Sequence, residues 1–185
     1  IYEKYENGQL KEETSRTNGK KDGVCKKWHE NGNQKFEGRY NMLSRVGVHK
    51  KWHENGQIKE EGSYKSGKRN GLWKAWYDNG QKEFEINYIA GGLGGKISGN
   101  LHRWYKDGRE MYKTSFEIDG TGIDKFYYQN GNLKYEQNFV KGKVDGLNKR
   151  WHENGQLASE ATYQMGAGNY HDISRQWYEN GTLKS

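Results

Sequence analysis

The chain repeats itself, and a short repeat restricts the folds open to a chain more than any other feature does. Trp28-His29-Glu30-Asn31-Gly32 returns as Trp52-His53-Glu54-Asn55-Gly56, then as Trp76-Tyr77-Asp78-Asn79-Gly80 and Trp104-Tyr105-Lys106-Asp107-Gly108. Tyr127-Tyr128-Gln129-Asn130-Gly131, Trp151-His152-Glu153-Asn154-Gly155 and Trp177-Tyr178-Glu179-Asn180-Gly181 follow, and Tyr5-Glu6-Asn7-Gly8 is a partial first copy. Successive turn glycines lie 24, 24, 24, 28, 23, 24 and 26 residues apart, about seven and a half units over residues 1–185. The longest spacing contains Ala90-Gly91-Gly92-Leu93-Gly94-Gly95, read as a flexible insertion. Irregularity is expected near 90–100 and again near 165–173.

Each unit carries a second turn, as in Ser66-Gly67 and Lys141-Gly142. A glycine precedes the aromatic by five residues at Gly23, Gly47, Gly71, Gly99, Gly122 and Gly146; in the last copy that place is Asp172. The segments between turns, roughly seven to nine residues, suit strands and are short for helices. The expectation is all-β: an elongated, single-layered antiparallel meander of consecutive hairpins, one array over residues 1–185.

Asn-Gly favours a two-residue type I′ turn, because both central residues take positive φ there. On that reading Glu54 faces Gln57, His53 faces Ile58, Trp52 faces Lys59 and Lys50 faces Glu61. The same counting sets Lys26 against Glu37, Lys74 against Glu85, Lys125 against Glu136 and Lys149 against Glu160. The fourth unit departs, with His102 against Lys113. Alternation then gives one face the stripe Trp28, Trp52, Trp76, Trp104, Tyr127, Trp151 and Trp177, together with the Lys–Glu pairs and Val24, Val48, Leu72, Ile123 and Leu147. The other face carries His29, His53, Tyr77, Tyr105, Tyr128, His152 and Tyr178 among further aromatics, with Ile58, Leu133 and Leu157.

Composition agrees with such a sheet. Only 31% of residues are hydrophobic and the net charge is +7, values that approach a disordered composition. Yet 14% are aromatic, with seven Trp at regular spacing. A repeat sheet resolves the conflict, since each hairpin buries apolar surface only against its neighbours. The single cysteine, Cys25, excludes an internal disulfide framework and reads as a small strand residue. No apolar run approaches the roughly 20 residues that span a bilayer as a helix. The first residue is Ile1, not Met, and a processed chain or a piece of a longer array is expected.

The unit Trp/Tyr-His/Tyr-Glu-Asn-Gly-Gln-Leu-Lys-x-Glu, then a Tyr, then Gly-Lys-x-x-Gly-Leu-Trp-Lys, resembles the bacterial variant of the MORN repeat. The clearest copy runs from Trp52 to Trp76, and the likeness covers nearly the whole chain, weakening at 90–100 and 165–173. It looks like the YwqK-type family, whose members are named as antitoxin components. That resemblance implies a non-enzymatic binding protein of the bacterial cytoplasm or cell envelope, and it supplies no catalytic motif.

The residues themselves point the same way. His29-Glu30, His53-Glu54 and His152-Glu153 lack the second histidine of a zinc helix and sit at hairpin ends. A Lys–Glu pair repeated in five units reads as a structural ladder, because an active site is built once. Neither a cofactor nor a small-molecule substrate is expected. The 31 basic and 24 acidic residues are interspersed, which disfavours nucleic acid. The expected function is a protein-binding array that covers a toxin or effector, with Trp28, Trp52, Trp73, Trp76, Trp104, Tyr127, Trp151 and Trp177 as contact residues. Aromatic side chains dominate interface hot spots. The positions Cys25, His49, Trp73, Leu101, Asp124 and Asn148 differ in every unit, as a binding surface would. Two alternatives stand beside it: a surface or envelope protein binding host ligands, and a scaffold on an anionic membrane surface.

Overall fold

The hairpin reading holds in a computed structural model of the chain, which describes residues 1–89, 96–117, 119–164 and 171–184. The chain divides into two units, Ile1–Ile97 and Ser98–Ser185. The first contains β1 (Tyr2–Lys4), β2 (Leu10–Thr17), β3 (Lys20–Trp28), β4 (Gln34–Asn41), β5 (Ser44–Trp52), β6 (Ile58–Lys65), β7 (Lys68–Trp76) and β8 (Lys82–Ile89). At the boundary begins β9 (Lys96–Trp104). Then come β10 (Glu110–Phe116), β11 (Gly122–Tyr127), β12 (Leu133–Val140), β13 (Lys143–Val144), β14 (Gly146–Trp151), β15 (Leu157–Tyr163) and β16 (His171–Gln176). Within each unit, strands pair antiparallel in chain order, and β13 and β14 both pair with β12. Among the described residues every regular element is a strand. The irregularities expected near 90–100 and 165–173 fall partly on residues 90–95 and 165–170, which lie outside the described residues, as does the glycine-rich insertion.

The turn chemistry is reversed from the expectation. At Asn55-Gly56 the Gly56 N–H donates to His53 O at 3.0 Å and the His53 N–H to Gln57 O at 2.9 Å. Gly56 alone of the pair is left-handed, with φ 84°. This is a type I turn closed by a glycine bulge, a longer loop than type I′. Trp52 therefore pairs with Ile58, not Lys59, and the ladder regains the expected register at Lys50 and Glu61. The same correction pairs Trp28 with Gln34, Tyr127 with Leu133 and Trp151 with Leu157. The two-residue turns sit at the opposite hairpin ends. Both central residues there have positive φ: Asn18-Gly19, Met42-Leu43, Ser66-Gly67 and Lys141-Gly142.

The side chain of each Asn-Gly asparagine explains its recurrence. Asn55 Oδ1 accepts the Gln57 N–H at 3.1 Å, which holds the loop, while Nδ2 donates to Asp78 O of the following turn at 2.6 Å. Asn31, Asn130 and Asn154 repeat the second bond to Glu54 O, Glu153 O and Glu179 O. The ring two residues earlier adds another tie. His29 and His53 meet Trp52 O and Trp76 O at 3.0 and 2.8 Å, and Tyr128 donates its hydroxyl to Trp151 O at 2.9 Å. A carbonyl only accepts, so these imidazoles carry the proton on Nε2. His and Tyr interchange in this stripe because both present a donor to the same carbonyl.

The Lys–Glu register is confirmed and runs further than the individual hairpins. In the first unit Glu13, Lys26, Glu37, Lys50, Glu61, Lys74 and Glu85 are successive cross-strand partners over β2 to β8. In the second unit the line is Lys125, Glu136, Lys149, Glu160 and Arg175. Each opposite-charge rung contributes roughly 0.2–1 kcal/mol. The break occurs at β9 to β11, where His102, Lys113 and Lys125 succeed one another.

Candidate functional site

The charge line divides one face of the first unit into two columns. Beside it stand Val24, Val48 and Leu72, exposed at 42%, 56% and 51%. On the turn side stand Trp28, Trp52 and Trp76, each half-buried. These aliphatic side chains stand two strands apart, with Arg39 and Ser63 as the cross-strand partners between them, and apolar side chains exposed in this way mark a candidate interaction surface. The corresponding residues of the second unit are half-buried Tyr127 and Trp151 with Leu147, exposed at 42%. Trp104 and Trp177 are half-buried as well, and the His102 ring lies 3.8 Å from that of Trp104.

Trp73 belongs elsewhere. It is 1% exposed, so its expected place among the contact residues is corrected: it is core. In the first unit the same holds for the variable column read as a binding surface. Cys25 and His49 are 1% and 5% exposed, and Leu101, Asp124 and Asn148 are half-buried. Residues here vary because neighbours compensate in size. Gly38 and Gly62 lie beside His49 and Trp73, and a Cβ on either glycine would collide with the adjoining ring. Around them runs an aromatic ladder on the second face. The His49 and Tyr64 centroids are 4.7 Å apart, Tyr64 and Trp73 5.0 Å, and Trp73 and Tyr88 6.2 Å. Arg69 lies 4.2 Å over Trp73 and donates to the Tyr88 hydroxyl at 3.0 Å.

Charged groups on this aromatic face are strongly perturbed. Glu12 is 9% exposed and receives Lys27 at 2.6 Å and Lys21 at 2.8 Å. Burial pushes its pKa up, but bonds from Lys21, Lys27 and Thr14 outweigh that and hold it well below the usual carboxylate range. Burial lowers the pKa of His49, whose Nε2 donates to Arg39 O at 3.0 Å. Cys25 Sγ lies 3.1 Å from Thr14 Oγ1 at the floor of this cluster.

The second unit carries polar groups in the same column. Asp124 is pushed up by burial, against a hydrogen bond from Tyr112. Asp124 Oδ1 and Asn148 Nδ2 are buried without a hydrogen-bond partner. Over Asn148 a hollow of about 380 Å³ opens, lined among others by Gln137, Arg150, Ser159 and Gln176. Sequence reading missed this hollow. Its trace in the sequence is Asn148, a polar residue standing where the first unit has His49 and Trp73. Among the described residues no three His, Cys, Asp or Glu side chains gather as a metal site would require.

Six segments match the MORN repeat variant family: residues 2–18, 21–42, 45–66, 69–90, 121–141 and 144–165. The chain belongs to that family. Each MORN segment corresponds to one hairpin, as 21–42 does to β3 and β4 and 45–66 to β5 and β6. The Trp104 and Trp177 copies lie outside the matched segments, yet they close the same MORN turn. Tyr105 N–H donates to Arg109 O at 2.8 Å and Tyr178 N–H to Thr182 O at 2.9 Å. No curated protein matches the chain. Its MORN repeats make it a repeat-based binding module.

Proposed function

We propose that this MORN protein is a non-enzymatic binder of another protein, and that the contact lies on the charged face of the first unit. The observation that carries the reading is the exposed column Val24, Val48 and Leu72, flanked by half-buried Trp28, Trp52 and Trp76. Such a surface offers apolar anchors in rows, separated by a line of alternating charges that are already paired across the strands. The partner is a toxin or effector, neutralised by being covered; that finer role rests on the resemblance to antitoxin components.

The test is co-purification and toxicity rescue with the product of the adjacent gene. The wild-type chain is expected to bind it and relieve its toxicity. Replacing Val48→Asp together with Leu72→Asp removes two central anchors and is expected to weaken binding about 30-fold or more. An unchanged affinity in that variant would discard the assigned face, and absence of both binding and rescue would discard the antitoxin role.

A further inference from the structure

The hollow of the second unit lies on the aromatic face, so what it does is independent of the charged face. Its walls come from β12, β14, β15 and β16. Tyr135, Gln137, Asn148, Arg150, Ser159 and Gln176 contribute, and its volume of about 380 Å³ sits at the lower end of ligand-binding cavities.

Among the described residues, one of these groups is a buried donor without a partner, and a second is an exposed cation without a counter-ion. Asn148 Oδ1 accepts the Asn138 N–H at 2.7 Å, which fixes the carboxamide and leaves Nδ2 as the free, buried donor. A buried donor with no acceptor is destabilising, and an incoming acceptor relieves it. Arg150 is the second group. Its neighbour Arg175 is held by Glu160 at 3.3 Å, but among the described residues no carboxylate lies within ion-pair distance of Arg150. The charged residues Glu136, Lys149 and Glu160 touch the hollow too, but they belong to the charge line of the opposite face, where Glu136 is paired with Lys125 at 2.8 Å and Glu160 with Arg175.

The occupant must therefore accept hydrogen bonds and bring about one negative charge. A planar carboxylate satisfies both, since its two oxygens match the paired N–H groups of a guanidinium and a lone pair remains for the amide. Phosphate carries more charge than one guanidinium offsets. We propose that this hollow is a carboxylate-binding site, with Arg150 as the ion-pairing residue and Asn148 as the orienting donor. The carboxylate comes either from an acidic side chain of a bound protein or from a small free acid.

Titration of the ¹⁵N-labelled full chain, read at the Asn148 side-chain amide resonances, tests the assignment. The probes are N-acetyl-glutamate N-methylamide, succinate, N-acetyl-glutamine N-methylamide and inorganic phosphate. A saturable shift is expected with a carboxylate probe, and at least tenfold weaker response with the glutamine analogue and with phosphate. Tighter binding of the blocked glutamate assigns the site to a protein side chain; tighter binding of succinate assigns it to a free acid. Arg150→Met and Asn148→Leu should each weaken the response at least tenfold, Arg150→Met being followed at the retained Asn148 amide and Asn148→Leu at neighbouring backbone amides. Arg150→Lys should restore part of it, and Val48→Asp with Leu72→Asp should leave it unchanged. Absence of a saturable shift, equal binding of the glutamine analogue or phosphate, or full binding by Arg150→Met in a folded chain would overturn the proposal.

Discussion

The two units fill one column of the aromatic face in opposite ways. In the first, the column enlarges from Cys25 through His49 to Trp73, and glycines at 38 and 62 make room for the rings. In the second, Asp124 and Asn148 occupy the column beside Gln137 and Ala161, and a polar hollow remains. Both units keep the same turns and the same asparagine ties, and the alternating charge line of the first returns in the second from Lys125 onward. Backbone pairing and turn chemistry thus hold the scaffold, while the column is free to be either core or cavity.

The sharpest way to break that comparison is to empty the filled column. Trp73→Ala should cost about 3–5 kcal/mol in urea unfolding, because it removes a fully buried indole and its ring contacts. Asn148→Ala, at the matching place in the second unit, should cost about 1 kcal/mol, the worth of one hydrogen bond. Comparable losses would show that the two columns are equally structural.

Adding a methyl group probes the same difference from the other side. Gly62→Ala should destabilise by about 3 kcal/mol, since the Trp73 ring and a backbone-anchored Cβ claim one space. Its counterpart Ala161→Val faces the hollow and should change stability by less than about 1 kcal/mol. Equal effects on unfolding midpoints would mean that the second column is as tightly packed as the first.

Acid should separate the units. His49 and Glu12 have depressed pKa values in the folded state, so their stabilisation is present at neutral pH and lost as pH falls, from about 6.5 downward for His49 and below about 4.5 for Glu12. Asp124 is raised instead, so its contribution is complete below about 3.8 and is lost as pH rises through its folded pKa. Between pH 7 and pH 5, amide protection corrected for intrinsic exchange should fall in β3 to β5 and not in β11 and β12. A parallel fall in both would contradict the assignment.

The smallest expected effect lies in the two-residue turns. Leu43 holds φ 76° where Gly19, Gly67 and Gly142 stand in equivalent turns. Leu43→Gly should raise stability by about 1 kcal/mol by removing that strain. The same glycine is already present at 142, so no such gain is open to the second unit; a destabilised Leu43→Gly chain would show that the exposed leucine makes a contact worth more than the strain.

Much of this was readable before any coordinates. The repeat period, the strands and the Lys–Glu register follow from local pattern, because charge pairing across a hairpin is counted from its turn. The count survived a wrong turn type: the type I loop adds residues at the tip and the bulge between Lys51 and Trp52 absorbs the shift. The face that Trp28 and Trp52 share was also legible from alternation. The burial of Trp73 was not, since an indole in a variable position looks the same whether it meets solvent or the next strand.

By itself, then, the sequence determined the hairpins, their order and which side chains are cross-strand partners, all consequences of turn positions and period-two alternation. Only the tertiary structure decided which face buries the variable column, that Asn-Gly side chains tie one turn to the next, and that Asn148 lines a hollow. The reason is physical: burial of a strand residue depends on the volume of neighbours on the adjoining strands, such as Gly62, Tyr64 and Tyr88 around Trp73, and no local pattern in its own strand records that volume.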